Sequence, residues 1–177
     1  MLQHRTDFVR EDRREYAELR RVGLYYYAHF GYGRAVAILP FRHTAADLEL
    51  LARLEVRPSH GAGMELGAIT GRYDNPAISL LACAVKEVSE EAGYIVDPDT
   101  VIDLGETWDS KVTDSIYHLF AVDISDPAIR RCEAVDVGPE TGYPQWITPA
   151  EVSRTTDPIL AMTYLRLAAH LKLPGQD

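Results

Sequence analysis

Between Asn75 and Gly93 the chain carries an apolar stripe at three- and four-residue spacing: Ala77, Leu80, Leu81, Ala84, Val85, Val88 and Ala92. That periodicity belongs to a helix with one face packed on a sheet. Asp74-Asn75-Pro76 reads as its start, with Asn75 as N-cap and Pro76 at the first helical position, and Gly93 supplies the left-handed residue that ends it. The spacing therefore predicts a helix over 76–92, and a sheet for it to cover.

Its last turns read Lys86-Glu87-Val88-Ser89-Glu90-Glu91-Ala92-Gly93-Tyr94. On a regular helix Glu87 and Glu91 lie one above the other with Glu90 beside them, within an arc of roughly 100°. Three carboxylates so close repel one another, and a cation that prefers oxygen ligands, Mg²⁺ or Mn²⁺, makes the arrangement favourable. An acidic run alone is more often a solvated face, so the surrounding sequence has to carry the argument.

KEVSEEAGY resembles the second half of the Nudix hydrolase signature, Arg-Glu-U-X-Glu-Glu-X-Gly-U with U bulky and aliphatic. Lys86 stands in place of Arg, and Tyr94 in place of the last aliphatic residue. Gly71 matches the leading Gly, whereas the leading Glu falls at Ala77 or Ile78, neither of them acidic. Further segments look like the ADP-ribose and nucleotide-sugar pyrophosphatase branch. Before the box, residues 33–41, 49–58 and 64–68 resemble its successive strands. After it, 101–107, 115–124 and 143–151 resemble the remaining strands and the entry to the last helix. In that branch the second strand ends in a phosphate-binding Arg and the third carries Glu-X-Pro-Ala-Gly. Arg57 and Glu65 match those positions, while Gly67-Ala68 replaces Pro-Ala.

The resemblance implies an α/β/α sandwich with a mixed β-sheet over 33–177, preceded by an N-terminal extension over 1–32. Residues 7–21 read as a charged helix and residues 24–32 as an aromatic hairpin. It also implies Glu87, Glu90 and Glu91 as metal ligands and catalytic acids, Lys86 as a partner for Glu90 or an orienter of Glu87, and Arg57, then Arg53, as phosphate contacts, with Glu65 and Trp108 beside the substrate. A backbone carbonyl near the leading Gly is a metal ligand in this family, and here the connection 69–75 reads as a lengthened loop. The general base has several candidates. The family's loop Glu aligns with Ser115, leaving Asp114 next to it and Glu133, Asp136 and Glu140 further on. His118, among apolar neighbours, reads as a packed strand residue, and His4, His29, His43, His60 and His170 show no metal-site spacing.

The implied activity is Mg²⁺-dependent hydrolysis of the pyrophosphate of a nucleoside diphosphate linked to another moiety, ADP-ribose or a nucleotide sugar, giving a nucleoside monophosphate and a sugar phosphate. Two alternatives stay open: a non-catalytic sensor of such a ligand on the same scaffold, and a hydrolase of non-standard nucleoside triphosphates. Tyr25, Tyr26, Tyr27, Phe30 and Tyr32 either stack on a base or pack a homodimer, the latter being common for N-terminal segments of this branch; Trp108 and Tyr117 share the ambiguity.

Composition sets outer limits. The 177 residues, 46% hydrophobic and 25% charged, suffice for one domain with a real core. A net charge of −9 argues against a general nucleic-acid binder. The charged N-terminus and the absence of a spanning apolar run lead to the expectation of a cytoplasmic protein without membrane contact. Cys83 and Cys132 have no Cys or His at ligand spacing and read as reduced and incidental.

Overall fold

The computed structural model describes residues 17–45, 47–57, 63–133 and 142–173. Its centre is β3 (Arg34–His43), buried from Ala35 to Phe41. β3 pairs in parallel with β8 (Ile116–Asp123), which pairs antiparallel with β7 (Val101–Trp108). On its other side β3 meets β6 (Ile69–Arg72) over Ala35–Ile38 and β4 (Leu48–Val56) over Phe41–His43, both antiparallel. Pro40 falls in the gap between those two pairings, where a missing N–H breaks no ladder bond on that side. β4 is further paired with β5 (Met64–Gly67) and β9 (Gly142–Ile147).

Because side chains alternate across a strand, the sheet feeds two cores. Ala37, Leu39 and Phe41 of β3 join Leu50, Ala52 and Leu119 under α2 (Pro149–Val152) and α3 (Pro158–His170). Val36 and Ile38 join Leu51, Phe120 and Val122 under α1 (Leu80–Glu87). This is the α/β/α sandwich with a mixed sheet that the sequence implies. α3 occupies the stretch expected of the closing helix, and its Arg166 donates to the carbonyls of Leu104 (2.8 Å) and Glu106 (2.9 Å) across a bulge in β7.

Three expectations are corrected. The helix begins at Leu80 rather than Pro76, capped by the Ser79 hydroxyl, which accepts from Ala82 N. Asn75 instead closes a turn by accepting from Ala77 N, and Tyr73 Oη donates to Ile78 O, so 73–79 is a pinned loop. Ile69–Arg72 is strand, not loop. Finally, residues 17–21, read as the end of a helix, belong to β1 (Ala17–Val22); it pairs with β2 (Tyr25–Phe30), so the expected hairpin exists with a partner strand drawn from that region. Residues 7–16 of that reading lie outside the described residues.

The hairpin turns on Gly23 at φ 61°, a left-handed conformation suited to glycine. Its backbone meets the rest of the molecule at β2, where Ala28 N donates to Val112 O (2.8 Å) and Asp114 N donates to Ala28 O (3.2 Å).

Candidate active site at the end of the first helix

β4 turns from apolar to charged along one face. Leu51 packs under α1, and two and four residues on, Arg53 and Glu55 occupy the same side of the strand. Arg53 is only 4% exposed. A buried guanidinium requires compensating charge, and two carboxylates provide it: Glu55 at 3.3 Å and Glu91 at 3.7 Å. Arg57 continues the alternation, with Glu55 at 3.1 Å and an ion pair to Asp157. Although burial opposes the charged form, Asp157 and Glu55 hold the Arg57 guanidinium above its ordinary pKa.

The acids come from α1 and its continuation. After Glu87 the backbone widens into a π-helical turn over Val88–Ala92, closed by Gly93 N–H to Val88 O with Gly93 at φ 73°. The left-handed stop is as expected, whereas the π turn is not. Such turns recur at functional sites, and here it breaks the regular spacing relating Glu87 to Glu90 and Glu91. The three carboxylates accordingly do not meet at one point. Among the described residues no three Asp, Glu, His or Cys side chains are gathered closely enough to hold a metal ion. Glu91 faces Arg53, Glu90 accepts from Lys86 Nζ at 2.6 Å, and Glu87 lies over Gly71 of β6. A Cβ at Gly71 would overlap the Glu87 carboxylate, so the leading glycine matters for the space it leaves.

The surroundings of Glu87 oppose its charge. Burial pushes its pKa up to about 6; Lys86 works against this, Glu90 and Asp74 add to it, and Arg53 offsets part. The same surroundings push the buried Cys83 thiol up to about 11, which leaves it protonated and unreactive. Both described cysteines are free.

The donor set suits a hard divalent cation. All three side chains offer carboxylate oxygens, Glu87 is short of positive charge, and its position depends on a cradle that admits no side chain at residue 71. Bringing Glu90 to the others requires releasing Lys86, whose side chain is 56% exposed; exposed i,i+4 pairs contribute only about 0.3–0.5 kcal/mol.

Other candidates fall elsewhere. Asp114 is turned to the hairpin, with His29 Nδ1 at 2.8 Å and Arg20 at 3.6 Å, which commits this proposed base to a structural contact. Arg57, expected to hold phosphate, is engaged by two acids. Glu65 stands opposite Glu55 in the β4–β5 register, and Trp108 is 61% exposed at the end of β7. Glu133 is exposed, and Asp136, Glu140, His4 and His60 lie outside the described residues. His118 is a packed strand residue as read, stacked on Phe120 with Nε2 2.8 Å from Asp103. Sequence reasoning passed over Glu55 and Asp157. The alternation Arg53-Glu55-Arg57 on one strand face signals the first, and Asp157-Pro158, a cap followed by proline at N1, signals the second.

Among the solved structures to which the molecule is similar are the following two. One is the NUDIX domain of Shewanella oneidensis NrtR complexed with ADP ribose, at a TM-score of 0.59 and 15% identity over 78% of this chain and 87% of that one. The other is an ADP compounds hydrolase, at 0.62 and 14% over 92% and 98%. No family model and no curated protein matches the sequence. The chain has the Nudix fold.

Proposed function

We propose that this protein is a divalent-cation-dependent hydrolase of the pyrophosphate bond in a nucleoside diphosphate linked to another moiety. ADP-ribose or a nucleotide sugar is the substrate class, and a nucleoside monophosphate and a sugar phosphate are the products. The observation that carries the reading is the placement, within a Nudix fold, of Glu87 over Gly71 and of Glu91 beside the buried Arg53 on one helical segment. The two structural neighbours, one complexed with ADP ribose and the other described as an ADP compounds hydrolase, support the substrate class.

Glu87, Glu90 and Glu91 would hold Mg²⁺ or Mn²⁺. When bound, the cation supplies polarisation of the phosphoryl oxygens and a lowered pKa for the attacking water. Arg53, buried against Glu55 and Glu91, balances the charge of the carboxylates. A carboxylate oxygen of the cluster takes the water's proton as the water adds to one phosphorus. The P–O bond to the bridging oxygen breaks, and the departing phosphate keeps the electron pair. No covalent intermediate with the protein is needed.

This reading predicts Mg²⁺-dependent turnover that falls at least about 100-fold in Glu91→Gln while circular dichroism shows the fold retained at the assay temperature. Unchanged turnover in that variant would sink the assignment. A sensor that binds without cutting is the second reading. It is favoured by Ile78, which packs against the core beneath α1 at one of the two positions where the leading acid falls. It predicts a ligand-induced melting shift with no product over hours.

A further inference from the structure

Five charged side chains of alternating sign form one chain from the start of α3 to the metal-site helix. Asp157 accepts from Arg57 Nη1, Arg57 Nη2 lies 3.1 Å from Glu55 Oε1, Glu55 Oε2 lies 3.3 Å from Arg53 Nε, and Arg53 Nη1 lies 3.7 Å from Glu91 Oε1. None of these side chains is more than 19% exposed. At that depth water compensates charge poorly, so each member depends on its neighbours.

One end of the chain is fixed. Asp157 caps α3 by accepting from Leu160 N, its own N–H donates to Thr155 Oγ1, and Thr155 Oγ1 donates to the Leu66 carbonyl of β5. The path to that end runs over Gly67. A Cβ there would overlap Arg57 Nη2 and lie 3.4 Å from Asp157 Oδ2. Residue 67 is also where this chain has Gly in place of the Pro of the pattern it resembles.

We propose that Asp157 is a positioning residue for Glu91, acting through Arg57, Glu55 and Arg53, and that Gly67 provides the space in which this chain closes. The role assigned to Glu91 rests on the functional reading above; the coupling itself does not. The direction follows from the alternation. Without the Asp157 carboxylate, Arg57 draws Glu55 toward itself, Arg53 loses part of that partner, and Arg53 then holds Glu91 more tightly. A carboxylate held this way is less available to a cation.

The test uses Asp157→Ser, because serine keeps a good N-cap while removing the charge. Mn²⁺ affinity, read by electron paramagnetic resonance without substrate, should weaken about three- to tenfold, and the isosteric Glu55→Gln should move it the same way. Independently of any metal, unfolding of Asp157→Ser, Glu91→Gln and the double variant should be non-additive. The double variant's unfolding constant should depart from the product of the single effects by a factor of about five or more. Unchanged Mn²⁺ affinity in both folded variants would overturn the proposal, and so would additive unfolding. If the wild type binds no Mn²⁺, the functional reading fails, and the unfolding cycle alone decides whether Asp157 and Glu91 are coupled.

Discussion

Glu87 combines burial, a glycine beneath it and two neighbouring carboxylates, and this dictates how it answers to pH. Its pKa stands at about 6 against an ordinary 4.5, so between those values the folded chain binds more protons than the unfolded one. Stability therefore falls as pH rises through that window, and at pH 7.5 an ionised Glu87, partly screened by solvent, costs about 1 kcal/mol. Glu87→Gln should raise the stability of the cation-free protein by about that amount at pH 7.5 and leave it nearly unchanged at pH 4, in denaturant titrations at both values. A variant equally stable or weaker at pH 7.5 would show that Glu87 is not short of positive charge. Gly71→Ala pushes on the same carboxylate from below and should abolish Mg²⁺-induced stabilisation in thermal melts. At this scale the acidic run was legible from residue type, but the convergence its helical spacing predicts is broken by the π turn, and Arg53, named through the resemblance as a phosphate contact, is the buried partner of Glu91. The partners of Arg57 and Asp114 were not legible, because a contact across 100 residues to Asp157, or across 85 to His29, leaves no local trace.

The helix that holds the acids was legible by its apolar stripe and its glycine stop, and misread at its start and in its last turn. Asn75-Pro76 is a good start signal, but Ser79 is another four residues on, and the pinned 73–79 loop leaves the capping role to Ser79. Ser79→Ala should cost about 1 kcal/mol in chemical unfolding, and Asn75→Ala clearly less. Equal effects would return the helix start to Pro76. The π turn has no composition signal, since Val88–Ala92 would fit a regular helix as well. β6 was missed because four residues ending in Gly71-Arg72 look like a turn, and their pairing with β3 is decided by tertiary contact. β1 was misread for a related reason: charged AELRRV is a good helical sequence, and only its register against the aromatic β2 makes it a strand.

In the whole molecule the sandwich was legible because alternation and periodicity repeat over many elements, so local errors do not change the layers. The hairpin is the part that the sandwich does not bury: Leu24 is 93% and Tyr25 81% exposed, with Leu19, Val22, Tyr26 and Tyr32 also open. Single exposed apolar residues are ordinary, whereas a group of this size on one ribbon is of the kind that marks a contact site, and we propose a second copy of the chain as its partner. Light scattering at micromolar concentration should show a dimer that Leu24→Ser with Tyr25→Ser converts to monomer; a monomeric wild type removes that role. No helix among the described residues is long and apolar enough to cross a membrane.

Hydrolysis of a nucleoside diphosphate joined to another group can be read by mass-spectrometric product analysis. The protein would be incubated with Mg²⁺ and a mixture of ADP-ribose, UDP- and GDP-sugars, dinucleotides and nucleoside triphosphates, with Glu91→Gln alongside. Wild type alone should consume an ADP-ribose-like or nucleotide-sugar component and release a nucleoside monophosphate with the matching sugar phosphate. An untouched mixture in which one component still raises the melting temperature would contradict this hydrolysis and make the altered box a binding site.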